Sequence, residues 1–262
     1  TEAFLHATGA TTRLGKVEDG AAVSDYDDEE HRRRISIYSS VIPIEHRDHK
    51  INIIDAPGYT DFVGEMISAL SVADGALIVV DAVAGIEVGT ELAWRYADEF
   101  NLPRFFVINK MDRDNADFER TYAAIEEFVV AHGKRVVRVH IPIGEKQNFK
   151  GVVDVIGMKA YLGDGKVTAE IPPELKEVAE AAHFAMVEDA AEGEDELMEK
   201  YLENGSLTDA EMVRGLEDVV WAGQFVPIFC AAGAREIGII ALLNDIIDLI
   251  PSPLNAPTRV AQ

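Results

Sequence analysis

Arg104-Phe105-Phe106-Val107-Ile108-Asn109-Lys110-Met111-Asp112 is the stretch that decides the fold. Its apolar part is short and unbroken, the pattern of a strand buried on both faces of a parallel sheet. A polar tetrapeptide follows at once. Upstream, Ala76-Leu77-Ile78-Val79-Val80 is a second run of the same kind, and Ile51-Asn52-Ile53-Ile54 ends in Asp55-Ala56-Pro57-Gly58. Residues 136–141 and 226–230 read as further strands. Helical patterns lie between and after them, at 61–71, 87–100, 116–131 and 237–250. Strands alternating with helices of this length predict crossover units and a parallel sheet. Ligands bind beyond the carboxyl ends of such strands, and both tetrapeptides sit on that edge.

The rest of the chain is arranged around this core. Residues 1–8 read as the tail of a helix stopped by Gly9. Residues 9–40 form a long polar stretch, expected to be a functional or disordered loop. It holds the acidic run 25–30 and the basic run 31–34, which reads as solvated surface or as a contact for RNA phosphate. Residues 41–44 and 51–54 predict two strands joined by a charged turn at Arg47-Asp48-His49. Residues 145–225 carry 19 acidic and 7 basic residues, and so −12 of the total charge. They are expected to be an inserted subdomain with helices near 174–189, 195–203 and 208–221. Pro251-Ser252-Pro253 ends the last helix and starts a linker over 251–262.

Composition narrows the function. The 262 residues are 48% hydrophobic and 27% charged, the mix of a folded globular protein. A net charge of −23 argues against a nonspecific nucleic-acid binder and against DNA as a partner. One cysteine, Cys230, excludes a disulfide framework and a multi-cysteine zinc site, and reads as a small core residue. No apolar run approaches the roughly 20 residues that span a bilayer, and no secretory signal is present, so a reducing, cytoplasmic setting without a membrane partner is expected. Trp94 and Trp221 fall on helices and read as core.

The two tetrapeptides carry the chemistry. An Asp at the end of a buried strand, such as Asp55, can hold Mg²⁺ directly or through water. Gly58 lets its backbone N–H approach a terminal phosphate. A D-x-P-G string by itself is also an ordinary turn after a strand. The second tetrapeptide is more specific. Guanine offers N1–H and an exocyclic amine on one edge, and a carboxylate such as Asp112 accepts both. Adenine would leave that carboxylate unmatched, and sites built this way reject the wrong partner by factors of about 10⁴. The stem of Lys110 can cover the face of the base.

D-x-P-G, V-x-D after a buried strand, I-N-K-M-D, an acidic insert and P-S-P occur in that order. Together they resemble the guanine-nucleotide domain of translational GTPases, in particular the elongation factor G group and its paralogues, which include the ribosomal protection proteins. The resemblance also takes in Val17-Glu18-Asp19-Gly20-Ala21, Pro142-Ile143-Gly144 and Asp154-Val155-Ile156-Gly157-Met158-Lys159-Ala160-Tyr161. It implies an α/β fold with a P-loop NTPase-type, mostly parallel sheet and helices on both faces. Residues 1–144 and 226–250 would form the GTP-binding domain, and 145–225 an inserted α+β subdomain. It further implies GTP or GDP as ligand, Mg²⁺, GTP hydrolysis, and the ribosome as partner through its RNA and proteins. The acidic insert would be either a solvated face or a dock for a basic ribosomal protein.

Carried over by position, Asp55, Ala56, Pro57, Gly58 and Tyr59 form the phosphate-side loop. Asp55 falls on the metal side and Gly58 at the γ-phosphate. Asn109, Lys110, Met111 and Asp112 read the guanine, and Ala232 and Gly233 support its oxygen. Ser36 stands where the family has a Thr that ligates Mg²⁺, and residues 9–40 correspond to a switch ordered by the γ-phosphate. Three departures matter. A G-x-x-x-x-G-K-[ST] loop does not occur in these residues. By the match it would end just upstream of Thr1, and guanine contacts without its phosphate clamp do not give tight binding. Tyr59 stands where the family has a water-orienting His. Loss of such a group costs about 10²–10⁴ in rate, so the alternative expectation is a GTP- and ribosome-binding module with weak or no hydrolysis. Ala231-Ala232-Gly233 replaces Gly-Ser-Ala, which keeps the backbone donors and loses a hydroxyl.

Overall fold

A computed structural model describes residues 1–254. Helix α1 (Glu2–Ala7) gives way at Gly9, whose φ of 77° lies in the left-handed region. Residues 9–40 contain a 3₁₀ turn at Val17–Asp19 and a helix, α2 (Asp28–Arg33), where a long loop was expected. The Asp27 and Glu30 side chains close a capping box around the start of α2, which is why so short a segment stays helical. Strands β1 (Ser40–His46) and β2 (His49–Asp55) form the expected hairpin, with Ser40 opposite Asp55 and His46 opposite His49. Arg47 and Asp48 have φ of 47° and 60°, the two left-handed residues that a tight hairpin turn demands.

Helix α3 (Val63–Leu70) leads to β3 (Ala76–Asp81), and α4 (Val88–Glu99) to β4 (Arg104–Asn109). Helix α5 (Phe118–Ala131) leads to β5 (Arg135–Arg138). A second sheet follows, made of β6 (His140–Ile143), β7 (Gly151–Asp154), β8 (Lys159–Leu162) and β9 (Thr168–Ala169). Then come α6 (Lys176–Ala191), α7 (Asp195–Asn204), α8 (Asp209–Trp221), β10 (Phe225–Cys230) and α9 (Ile239–Leu249). The main sheet has the order β3-β4-β10-β5 and every pairing in it is parallel. The second sheet is antiparallel in chain order.

Alternation along the central strands builds two cores. Phe105, Val107, Phe225 and Phe229 point into one, shared with α1, α6, α8 and α9. Phe106, Ile108, Val226, Ile228 and Cys230 point into the other, shared with α4 and α5. Trp94 packs there too, stacked on Phe106 at a centroid distance of 6.0 Å. Helices therefore cover both faces, as expected.

The structure changes two expectations about the strands. Residues 76–80 are not buried on both faces. They form an end strand of the main sheet, with no further strand beside it among the described residues, and Val79 is 59% exposed. Residues 136–141 are not one strand. β5 completes the parallel sheet, and β6 opens the antiparallel one at His140. Residues 145–225 pack on the main sheet through a shared core. Val153, Met186, Leu216, Phe229 and Leu243 belong to a single cluster that joins them to the main sheet and α9. The proposed linker 251–262 lies beyond the described residues from position 255 on.

Candidate nucleotide site

The base-side loops follow β4 and β10, which are neighbours in the sheet. Their backbones interlock: Ala231 N–H donates to Ile108 O at 2.9 Å, and Met111 N–H to Ala231 O at 3.2 Å. Gly233 N–H donates to Asn109 Oδ1 at 3.0 Å. The Asn109 amide thus ties its own loop to Gly233, next to Ala232, and the structure brings these positions together. Lys110 adopts φ of 61° and lays its ammonium 2.7 Å from Asp81 Oδ2, with Arg113 at 3.8 Å from the same oxygen. Burial opposes a charge on Asp81. Lys110, the Val83 N–H and Arg113 nonetheless hold its carboxyl below the usual carboxylate range. Met111 is buried under the loop. Asp112 lines an open depression with Val83, Arg113, Asp114, Asn115 and Gln147. Among the described residues nothing hydrogen-bonds or ion-pairs with its carboxylate, which leaves both oxygens available to a donor edge.

The phosphate-side residues sit at the end of β2. A Cβ built on Gly89, in the first turn of α4, would stand 3.4 Å from the Gly58 carbonyl oxygen. The Gly58 backbone therefore lies against the start of the helix that follows β3, the strand whose last residue, Asp81, holds Lys110. A Cβ on Gly58 itself would meet nothing within 4 Å, so the space in front of it is open to a ligand. Asp55, like Asp112, has no side-chain partner among the described residues. Tyr59 is 57% exposed and its hydroxyl is likewise without one. Ala56 and Pro57 shape the turn between them.

Mg²⁺ keeps several waters and takes one or two carboxylates plus phosphate oxygens. Asp55 fits that requirement. Ser40 lies directly opposite it, and facing residues of an antiparallel pair share a side of the sheet. The Ser40 hydroxyl is buried without a hydrogen-bond partner, an orphan polar atom on the residue that faces Asp55. Ser36 is placed elsewhere: its hydroxyl donates to Asp25 Oδ1 at 2.7 Å. It would have to leave Asp25 to reach a metal.

The segment around Ser36 is organised by Glu30, a residue with no exposed surface. One of its oxygens accepts from Tyr26 N–H and Asp27 N–H, both at 2.9 Å. The other accepts from Ile37 N–H at 2.8 Å and Tyr38 N–H at 3.0 Å. Burial works against the charge, yet these four donors hold the carboxyl below its ordinary range. Glu65 on α3 accepts from Ser39 N–H at 2.7 Å, and Glu2 on α1 accepts from Val23 N–H at 2.8 Å. The basic run is partly neutralised, since Arg32 and Arg33 pair with Glu29.

Sequence reasoning missed Ser40, Asp81, Glu30 and Glu65. Asp27-x-x-Glu30 is a readable capping-box signal. Asp81 could have been found as the last residue of V-x-D. Ser40 and Glu65 gain their roles only through strand register and packing.

Comparison with known proteins gives the family of the chain. The family model "Elongation factor Tu GTP binding domain" matches residues 1–252. Elongation factor G from Thermotoga neapolitana is 40% identical over 98% of this chain, and that from Thermotoga petrophila is 41% identical over the same share. The chain spans 37% of the length of each. A crystal structure from Thermus thermophilus matches 96% of the chain with a TM-score of 0.87 and 37% identity, over 38% of that chain. The chain belongs to the elongation factor Tu GTP-binding domain family.

Proposed function

We propose that this chain binds GTP with Mg²⁺ and serves its hydrolysis, as the nucleotide-binding part of an elongation factor G-like factor that works on the ribosome in the cytoplasm. Asp112 accepts the N1–H and the exocyclic amine of guanine. Asn109, with Ala232 and Gly233, holds the loop that receives the base, while Met111 packs beneath it and the stem of Lys110 covers the face. Asp55 holds the metal, and Ser36 joins it after leaving Asp25. Bound Mg²⁺ supplies charge neutralisation on the phosphate oxygens. Gly58 offers its N–H to the terminal phosphate. Tyr59, whose hydroxyl can donate one hydrogen bond and accept another, positions the attacking water.

The observation that carries this reading is the contrast within residues 109–112. Asn109 is engaged in holding two loops together, while Asp112, at the other end of the same tetrapeptide, has a free carboxylate. A loop so fixed and so unpaired is ready for a ligand that donates twice. The test is nucleotide competition with the Asp112→Asn variant. Guanine preference over adenine falls by about 10³–10⁴, and xanthine nucleotides are preferred, because the new amide donates where the lost carboxylate accepted. Equal binding of GTP and ATP by the unaltered chain overturns the reading. Phosphate release in the presence of ribosomes, compared between the unaltered chain, Tyr59→Phe and Tyr59→His, tests the water-positioning role. Loss in Tyr59→Phe with a gain in Tyr59→His is expected.

A further inference from the structure

His140 opens β6 with no exposed surface, at a point where the main sheet loses a strand. β5 pairs with β10 only as far as Arg138 opposite Ile228, and Val139 N–H makes one more bond to Ile228 O at 3.1 Å. Beyond that, β10 continues to Cys230 with no strand hydrogen-bonded to it on that side among the described residues. Cys230 is completely buried, and its backbone would be left without partners there. The His140 ring takes the place of the missing strand. Its Nδ1 lies 3.4 Å from Cys230 N and 3.3 Å from Cys230 O, so it accepts from the amide in one tautomer and donates to the carbonyl in the other. Its Nε2 is 2.7 Å from Asp245 Oδ2 on α9, which fixes the plane of the ring.

α9 is itself pressed onto this strand end. A Cβ on Gly238, at the start of α9, would stand only 2.8 Å from Cys230 O, and Gly238 has φ of 80°. Burial pushes His140 down to about 4 and Asp245 well above the carboxylate range, so the pair holds its hydrogen bond without carrying charge. Asp154 lies close to both and is raised to about 7 by burial and by Asp245, while the Ile156 and Gly157 N–H groups satisfy it.

The residue after Cys230 is where the base loops join. Ala231 bonds Ile108 and Met111, and Gly233 bonds Asn109. We propose that His140, oriented by Asp245, is a positioning residue for the base-reading loops: its ring stands in for an absent strand and holds the end of β10 so that residues 231–233 and 109–112 keep their register. The inference rests on the guanine reading only for its consequence in selectivity. The latch itself is a property of the free chain.

Amide hydrogen exchange on the 262-residue chain without nucleotide tests it directly. His140→Phe keeps a ring and removes both nitrogens. His140→Gln keeps an acceptor and a donor on one plane. Exchange in 230–233 and 109–112 rises about tenfold in His140→Phe, the size of one lost buried hydrogen bond, while 88–99 in α4 is unchanged. His140→Gln returns the loops to within about threefold of the unaltered chain. Asp245→Ala, which leaves the ring but frees its plane, falls between the two. Unchanged loops in His140→Phe, or failure of His140→Gln to restore them, overturns the inference. So does a rise throughout the chain in both His140→Phe and Asp245→Ala, which would make the pair ordinary core. GTP-over-ATP preference measured on the same proteins falls with loop protection and recovers with Gln. If the unaltered chain shows no such preference, the guanine reading fails, and the exchange data still decide the latch.

Discussion

The two halves of the proposed nucleotide site are held by different means. The base side is wired by backbone: residues 109–112 and 231–233 leave adjacent strands of one sheet, and β10 is buried along its whole length. The phosphate side belongs to a separate two-stranded hairpin and a segment kept in place by carboxylates. Glu2, Glu30 and Glu65 each accept backbone N–H groups from residues 23–39, and Asp25 holds Ser36. Backbone pairing within a sheet cannot be exchanged without unfolding it. Contacts between one side chain and a loop can be traded one for another. The contrast suits a site in which the base is read by a fixed surface and the phosphates by a segment that rearranges.

The sharpest way to break the contrast is Glu30→Ala. It strands four backbone donors, which costs about 3 kcal/mol or more and is read by denaturant unfolding. Hydrogen exchange then rises across 25–38 and stays constant at 231–233. The same carboxylate gives the segment a pH dependence. Its folded value lies below the ordinary 4.5, so its contribution is present above pH 4.5 and is lost as pH falls through the folded value. Exchange in 25–38 rises on acidification in the unaltered chain, and Glu30→Gln removes most of that rise.

Asn109→Ala attacks the other half. It leaves Gly233 N–H unpaired and costs about 1–3 kcal/mol of stability, with loosening confined to the base loops. The smallest effect is a gain. Arg34 closes α2 in the left-handed region, with φ of 57°, where a Cβ is strained. Arg34→Gly relieves that strain by about 1 kcal/mol and tightens residues 28–38 in the same exchange experiment.

Much of the scaffold under the proposed base side was legible in the sequence, for a physical reason. β4 and β10 are buried on both faces, so their residues are apolar almost without interruption, and the loops that follow begin where the apolar runs stop. The phosphate side was harder. Residues 25–34 are so charged that they read as loop, although Asp27 and Glu30 spell the capping box that makes α2. The break between β5 and β6 leaves no trace, because 136–141 is apolar enough to continue as one strand. His140 gains its place only through strand pairing, which shows where β5 stops short of the end of β10. Ser40 matters only because register places it against Asp55. Such roles are set by what lies across the fold, and a single chain read in order does not contain them.

The central claim is that residues 55–58 and 109–112, from separate sheets, meet one nucleotide. Paramagnetic broadening of backbone amide signals tests it, with Mn²⁺ in place of Mg²⁺ and GTP added to the 262-residue chain. The account predicts that the Asp55 and Gly58 amides are broadened away, while those of Asn109, Asp112 and Gly233 shift but stay visible, farther from the metal. Shifts in the base loops with Asp55 and Gly58 untouched would contradict it, because base and metal would then occupy unrelated places.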